Sequence, residues 1–257
     1  MEKERIVSVC SLKGGVGRSL CALSLSAALA RRGLRVLLLD LDPFVHTLDL
    51  MLGLEDRRLF GASDILEGRP ADKVLLRHEE LPSVYLCPGS DCPRVLDREE
   101  LSSLIRKIEE TVKVDRIVLD LPPQAETEGF YTHLSARHLV VSTQDPAALL
   151  LAAKTAETVS LSDGQVHLLL NRFDLSDLPS YARGRMRPHE MIDLAGLPLL
   201  GIVPEEYDLS RRSQAGALWQ YEKEIDRPFD NVAARLEGEE RLLFDGAREG
   251  KKIRRSL

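Results

Sequence analysis

Short apolar runs rich in Val, Ile and Leu recur along the chain, at Ile6 to Cys10, Val36 to Leu39, Val84 to Cys87, Ile117 to Leu119, Leu139 to Val141, Val166 to Leu170 and Leu199 to Val203. Runs this short, without polar alternation, suit strands buried on both faces. Between them lie segments with helical spacing: Leu20 to Arg32 ending at Gly33, Arg98 to Val112, and Ala147 to Leu161. A strand that returns to its sheet through a helix runs parallel to its predecessor, with a right-handed crossover. The expected fold is therefore α/β: a doubly wound, mainly parallel sheet with helices on both faces. With 257 residues, 44% of them apolar, the chain can fill one substantial core. A single domain over 1–240 is expected, followed by a basic tail over 241–257.

Composition narrows the setting. Charged residues make up 30% of the chain and the formal net charge is -6, which argues against a surface built broadly for nucleic acid. Local basic candidates remain at Arg183, Arg185 and Arg187, or at Arg211 and Arg212. The cysteines, Cys10, Cys21, Cys87 and Cys92, lack the close spacing and second ligand pair of a zinc site, so free thiols are expected. The N-terminus leads directly into a strand instead of a signal segment, and no apolar run approaches the ~20 residues that cross a bilayer. A cytoplasmic location is expected.

Ligands of doubly wound sheets bind beyond the carboxyl ends of the strands, and these ends carry the distinctive residues. Ser11 to Ser19 follow the first run, Asp40-Leu41-Asp42-Pro43 the second, Asp120-Leu121-Pro122-Pro123 the fourth, Asn171-Arg172 the sixth and Pro204-Glu205-Glu206 the seventh. In the first of these, Lys13-Gly14-Gly15-Val16-Gly17-Arg18-Ser19 lies between a buried strand and an apolar helix. The glycines let the backbone turn tightly and aim its N–H groups inward, while the helix N-terminus adds positive potential. That context makes the segment a phosphate-binding loop.

The loop resembles the deviant Walker A motif, Lys-Gly-Gly-x-Gly-Lys-Ser/Thr, of the MinD/ParA family of P-loop ATPases. Similar blocks follow in the family's order at Leu48 to Gly53, Asp64 to Gly68, Leu86 to Gly89, Ile117 to Asp120 and Gly201 to Glu205. Together they span about residues 5 to 215. The resemblance implies ATP or ADP with Mg²⁺ as cofactors. It makes Lys13 the signature lysine, which reaches across a nucleotide-sandwich homodimer to phosphate on the partner subunit, a task suited to a compact cation on a long stem. Gly14, Gly15, Val16, Gly17, Arg18, Ser19 and Leu20 would wrap the phosphates. Ser19 would place its hydroxyl on Mg²⁺, Asp120 would bind the ion as a Walker B acid, and Asp40 would lie near the metal shell. Asp42 would orient the attacking water, so Lys13 and Asp42 are the catalytic candidates. Asn171, beside Arg172, would hydrogen-bond the adenine, with Pro204 and Glu205 lining the other side of the purine. For Asp40 a plainer reading stays open, since a carboxylate at a strand end also caps helices.

Several residues depart from the family pattern. Arg18 replaces the main loop lysine; it keeps the charge, but its planar fork prefers bidentate geometry, so nucleotide binding is a firmer expectation than hydrolysis. Leu20 replaces a hydroxyl residue that contacts the α-phosphate, removing a hydrogen bond worth about 0.5–1.5 kcal/mol. Phe44 replaces a small switch-loop residue. His46 in the same loop is read as a surface group, because no partner carboxylate is fixed by the motif. The helix after Pro146 lacks the acidic residues that engage a division-regulator partner in this family. The tail from Arg248 to Leu257 is basic with only Ile253 and Leu257 as apolar anchors, leaving weak peripheral membrane contact and a solvated tail as equal readings.

The resulting expectation is an ATP-dependent dimerising switch in septum placement during cell division, with ATPase activity reduced by Arg18. Two alternatives stay open: a nucleotide-binding scaffold that hardly turns over, and a positioning ATPase for flagella, plasmids or chromosomes. The acidic net charge disfavours the partition branch, and nucleic acid is not an expected partner. Iron proteins of the nitrogenase type need cluster cysteines after the Walker B region, and none follows Cys92. Tyrosine kinases of the superfamily carry a tyrosine-rich tail, whereas the last tyrosine here is Tyr221.

Overall fold

The computed structural model describes residues 3–90, 95–123, 133–160, 164–174, 186–241 and 243. The strands are β1 Ile6–Cys10, β2 Val36–Asp40, β3 Val84–Cys87, β4 Arg116–Asp120, β5 Arg137–Ser142, β6 Gln165–Phe173 and β7 Leu199–Pro204. They pair in parallel as one seven-stranded sheet, in the order β3-β2-β4-β1-β5-β6-β7. Every apolar run read from the sequence is one of these strands, each extended at most by flanking residues. The doubly wound, parallel α/β fold is present as expected.

The helices are α1 Arg18–Arg31, α2 Leu48–Leu52, α3 Ala62–Leu66, α4 Arg98–Glu109, α5 Pro146–Ser160, α6 Pro188–Ala195, α7 Tyr207–Gln214 and α8 Lys223–Leu236. Strand periodicity divides the core into two layers. Val7 and Val9 face α1 and α8, whose Leu25, Leu29, Phe229 and Val232 are buried beside them. Ile6 and Cys10 face the other side, with Leu101, Leu104, Ile105 and Ile108 of α4 and Leu149 and Ala152 of α5. The local signals agree with these positions. Asp97 accepts from the Glu100 backbone N–H at 2.8 Å while Glu100 accepts from that of Asp97 at 3.0 Å, a reciprocal cap that starts α4. The α1 helix is apolar nearly all round, since it is sandwiched between the sheet and α8.

Strand order places the site. The chain leaves β1 for β2 on one side of the sheet and later returns to β5 on the other, so the carboxyl end of β1 is the topological switch point. The loop from Ser11 to Gly17 is at that point. Among the described residues no helix is long and apolar enough to cross a membrane. Cys10, Cys21 and Cys87 are buried and join no disulfide among the described residues, while Cys92, Arg183, Arg185 and the tail segment Arg248 to Leu257 lie outside the described residues. Arg212 corrects the sequence reading of a basic surface patch: it is buried, and its Nη2 donates to Asp226 Oδ2 at 3.1 Å.

Candidate functional site

The phosphate loop is open toward solvent and anchored from behind. Gly14 and Gly15 are exposed and face no side chain, leaving room for an anion against their N–H groups. Gly15 and Gly17 have φ of 78° and 87°, a region where a Cβ is strained. Gly17 has a second reason to be glycine: a Cβ there would overlap the Asn171 amide. Asn171 is buried and donates from Nδ2 to the Val16 carbonyl oxygen at 2.8 Å. The pairing of β6 with β7 is irregular between Leu170 and Phe173, and Arg172 there has φ of 54°, unusual for a residue with a side chain. This irregularity presents Asn171 to the loop while Arg172 points outward, pairing with Glu205 at 2.9 Å. Asn171, expected from sequence to hydrogen-bond the adenine, buttresses the loop. Pro204 ends β7 and is buried, with Glu205 just beyond it.

The acidic residues converge as their strand ends require. Asp40 and Asp120 are register partners on neighbouring strands, and both are buried. Arg18, the first residue of α1, reaches both of its neighbouring acids: Nε donates to Asp120 Oδ1 at 3.1 Å, and Nη2 to Asp42 Oδ2 at 3.4 Å. Burial pushes the Asp120 carboxyl up to about 7, opposed by the Arg18 charge, reinforced by nearby Asp40 and opposed again by hydrogen bonds from Ser19 and Arg18. Ser19 is therefore beside Asp120, as a metal-binding hydroxyl must be. Two carboxylates and a hydroxyl are the donor chemistry that Mg²⁺ takes next to a phosphate, so residue types fit the ion.

Asp42 shapes the switch loop. Its Oδ1 accepts from the backbone N–H groups of Phe44 and Val45 at 3.0 and 3.1 Å, and its own N–H donates to Asp40 Oδ1 at 3.2 Å. Phe44 and Val45 project into solvent, 63% and 60% exposed. His46 corrects the sequence reading. It is not a surface group: its side chain is 12% exposed, Nδ1 lies 3.7 Å from Asp40 Oδ1, and Nε2 is 2.9 Å from the Ser90 carbonyl oxygen. Its partner carboxylate exists, on β2. The nearby Asp40 carboxylate raises the imidazole above its usual value, against burial, and burial likewise raises Asp40, against the pull of His46.

Lys13 lies at the outer edge of the loop and pairs with Asp145, which also accepts the Ala148 N–H at 3.1 Å at the start of α5. Nothing in the sequence motif indicated Asp145; it comes to the site because β5 neighbours β1. Leu20 packs against the core layer that contains α1 and α8, so its apolar side chain has a structural role at the position where the family carries a hydroxyl.

The chain is similar to known proteins over most of its length. A ParA family model, described as "NUBPL iron-transfer P-loop NTPase", matches residues 2–237. The septum site-determining protein MinD of Synechocystis sp. is 31% identical over 250 residues, 94% of this chain and 92% of the relative. Among solved structures, a MinC:MinD cell division protein complex of Aquifex aeolicus superposes with a TM-score of 0.81 at 25% identity, over 94% of this chain and 99% of that one. A septum site-determining MinD of Pyrococcus horikoshii, solved with Mg-ADP, shares the fold at a TM-score of 0.72 and 22% identity, over 91% and 96% of the two chains.

Proposed function

The chain belongs to the MinD/ParA family of P-loop NTPases, and from that membership we propose that it is an ATP-binding, ATP-dependent dimerising switch acting in placement of the division septum. The carrying observation is the constellation at the switch point: an open glycine cradle, Ser19 beside Asp120, and Lys13 at the rim with its ammonium paired to the surface carboxylate of Asp145. A lysine held by an exposed ion pair is released at little cost, because such pairs contribute about 0–1 kcal/mol. That leaves it available to phosphate on a second subunit. In this reading Asp42 is the switch carboxylate with Asp40 as its support, and Asn171, Pro204 and Glu205 are proposed to line the base. Mg²⁺ when bound supplies charge neutralisation at the phosphates; Ser19 and Asp120 would hold it.

Hydrolysis is slow in this reading, since Arg18 engages acids rather than standing free for the transferring phosphoryl group. The iron-transfer description of the family model is disfavoured by the buried positions of Cys10, Cys21 and Cys87. A division regulator, the kind of partner present in the Aquifex complex, is the partner proposed for the ATP-bound dimer. The basic tail is proposed as an auxiliary membrane contact, and the chain from 1 to 240 as one domain.

Light scattering of the full chain with ATP and Mg²⁺, with turnover measured on the same samples, tests the proposal. The expected result is a dimer with ATP, a monomer with ADP, and no ATP-induced dimer for Lys13→Ala. A monomer under all conditions would overturn the switch. Turnover that does not rise in Arg18→Lys would remove the claim that Arg18 slows hydrolysis.

A further inference from the structure

The Arg18 guanidinium has a position in this site that is independent of phosphate. It forks across two acids from different strand ends, with 9% of its side chain exposed, against 1% for Asp120 and 13% for Asp42. A charge pair this far from water is weakly screened, and a rigid planar fork holds two carboxylates along separate N–H directions in fixed geometry. Asp120 is also the acid that, with Ser19, has the donor chemistry for a divalent cation. Asp42 is in turn tied by its other oxygen to the backbone of Phe44 and Val45. One cation therefore holds the Walker B acid and the switch loop together.

We propose that Arg18 is an internal counter-cation, which pairs with Asp42 and competes with Mg²⁺ for Asp120, so that nucleotide binds this chain with little help from the metal. The proposal rests on the nucleotide-binding reading above. Phosphate entering the cradle draws on the same guanidinium. When Arg18 turns to the phosphate, Asp42 Oδ2 loses its cation. When it stays, the carboxylates remain neutralised without an ion. Either way, the charge that a divalent cation would contribute is already present in part. A plainer account is that any basic residue at position 18 would pair with a nearby acid and yield to the metal. Lysine distinguishes the two, because its compact, strongly hydrated ammonium on a flexible stem yields an acid to a metal more readily than the rigid, weakly hydrated fork does.

The test is calorimetric titration of the full-length protein with a non-hydrolysable ATP analogue, in Mg²⁺ and in EDTA, for the natural chain and Arg18→Lys. For the natural chain, affinity in the two conditions is expected to differ by about threefold or less, and in the lysine variant Mg²⁺ is expected to strengthen binding by about tenfold or more. Arg18→Gln, which keeps a donor but removes the charge, is expected to follow the lysine variant. A strengthening of about tenfold in the natural chain overturns the proposal, whether or not the variants fold. So does an equally small metal effect in Arg18→Lys. Absence of binding in every sample is a different result: it overturns the nucleotide reading itself and this proposal with it.

Discussion

The two ends of the sheet use the same charged residues to opposite effect. At the amino end, where Arg35 precedes β2 and Asp115 precedes β4, the guanidinium donates to both carboxylate oxygens at 2.9 Å and the Arg35 N–H adds a third bond at 2.8 Å. Arg35 holds the Asp115 carboxyl down at about 2. At the carboxyl end, Arg18 meets Asp120 and Asp42 by one longer contact each, in deep burial, and Asp120 is raised to about 7. Asp115 is satisfied where it stands. Asp120 is held in a position where burial disfavours its charge, and its one contact with Arg18 offsets that only in part. Pairing alone does not mark a functional site; incomplete satisfaction in a buried place does.

Removing the arginine at each end should separate the two cases most strongly. Arg18→Ala leaves Asp120 buried without its cation and is expected to cost about 3 kcal/mol in urea unfolding of the ligand-free protein. Because the folded-state value of Asp120 lies above its unfolded one, the native chain takes up a proton that the unfolded chain does not, so this loss is smaller at pH 6 and larger at pH 8. Arg35→Ala, at a solvent-screened pair, is expected to cost far less than Arg18→Ala. Equal losses at the two sites would erase the contrast.

The ends of α1 supply a smaller version of the same comparison. Gly17 and Gly33 flank the helix with nearly the same φ, 87° and 85°, but Gly17 faces Asn171 while nothing lies near Gly33. Gly33→Ala should cost about 1 kcal/mol, the strain of a left-handed residue alone. Gly17→Ala adds displacement of Asn171 from the Val16 carbonyl, for about 2 kcal/mol in total, and should lower nucleotide affinity, which Gly33→Ala leaves unchanged. If the two substitutions cost the same and bind equally well, Asn171 does not set the loop.

Sequence patterns carried the sheet, the loop and the two strand-end acids because each is signalled locally: by an apolar run, by a glycine spacing, by a carboxylate that ends a strand. What stayed hidden was assembled from separate strands. His46 looked like a surface histidine because Asp40 is six positions earlier, on β2, and the carbonyl of Ser90 follows β3. Asp145 reaches Lys13 only because β5 lies beside β1. The loop contact of Asn171 depends on irregular pairing between β6 and β7, which no residue type announces. Arg212 was misread for the reverse reason: its neighbour Arg211 suggested a surface patch, whereas helix periodicity turns it inward to Asp226.

The smallest effect expected is in the pH dependence of stability, and there the two ends should act on opposite limbs. Asp115, with its folded-state value depressed to about 2, contributes stability that is present above the ordinary carboxylate range and is lost as the pH falls through that value. His46 has a raised folded-state value, so its contribution is complete below 6.5 and is lost as the pH rises through the folded value. Asp40 is the carboxylate that favours its charged form, Arg58 opposes it, and the Ser90 carbonyl accepts from the ring. His46→Gln retains a donor toward Ser90 but cannot charge. Thermal melts across pH 5 to 9 should show the variant weaker by about 1 kcal/mol at the acid side of this window, with a flatter alkaline decline. The limb below pH 4 should be unchanged, because Asp115 is at the far end of the sheet. If His46→Gln instead shifted the acid limb and left the alkaline one alone, the imidazole would not be charged in the folded protein. The Asp40 contact would then be a packing contact and no more.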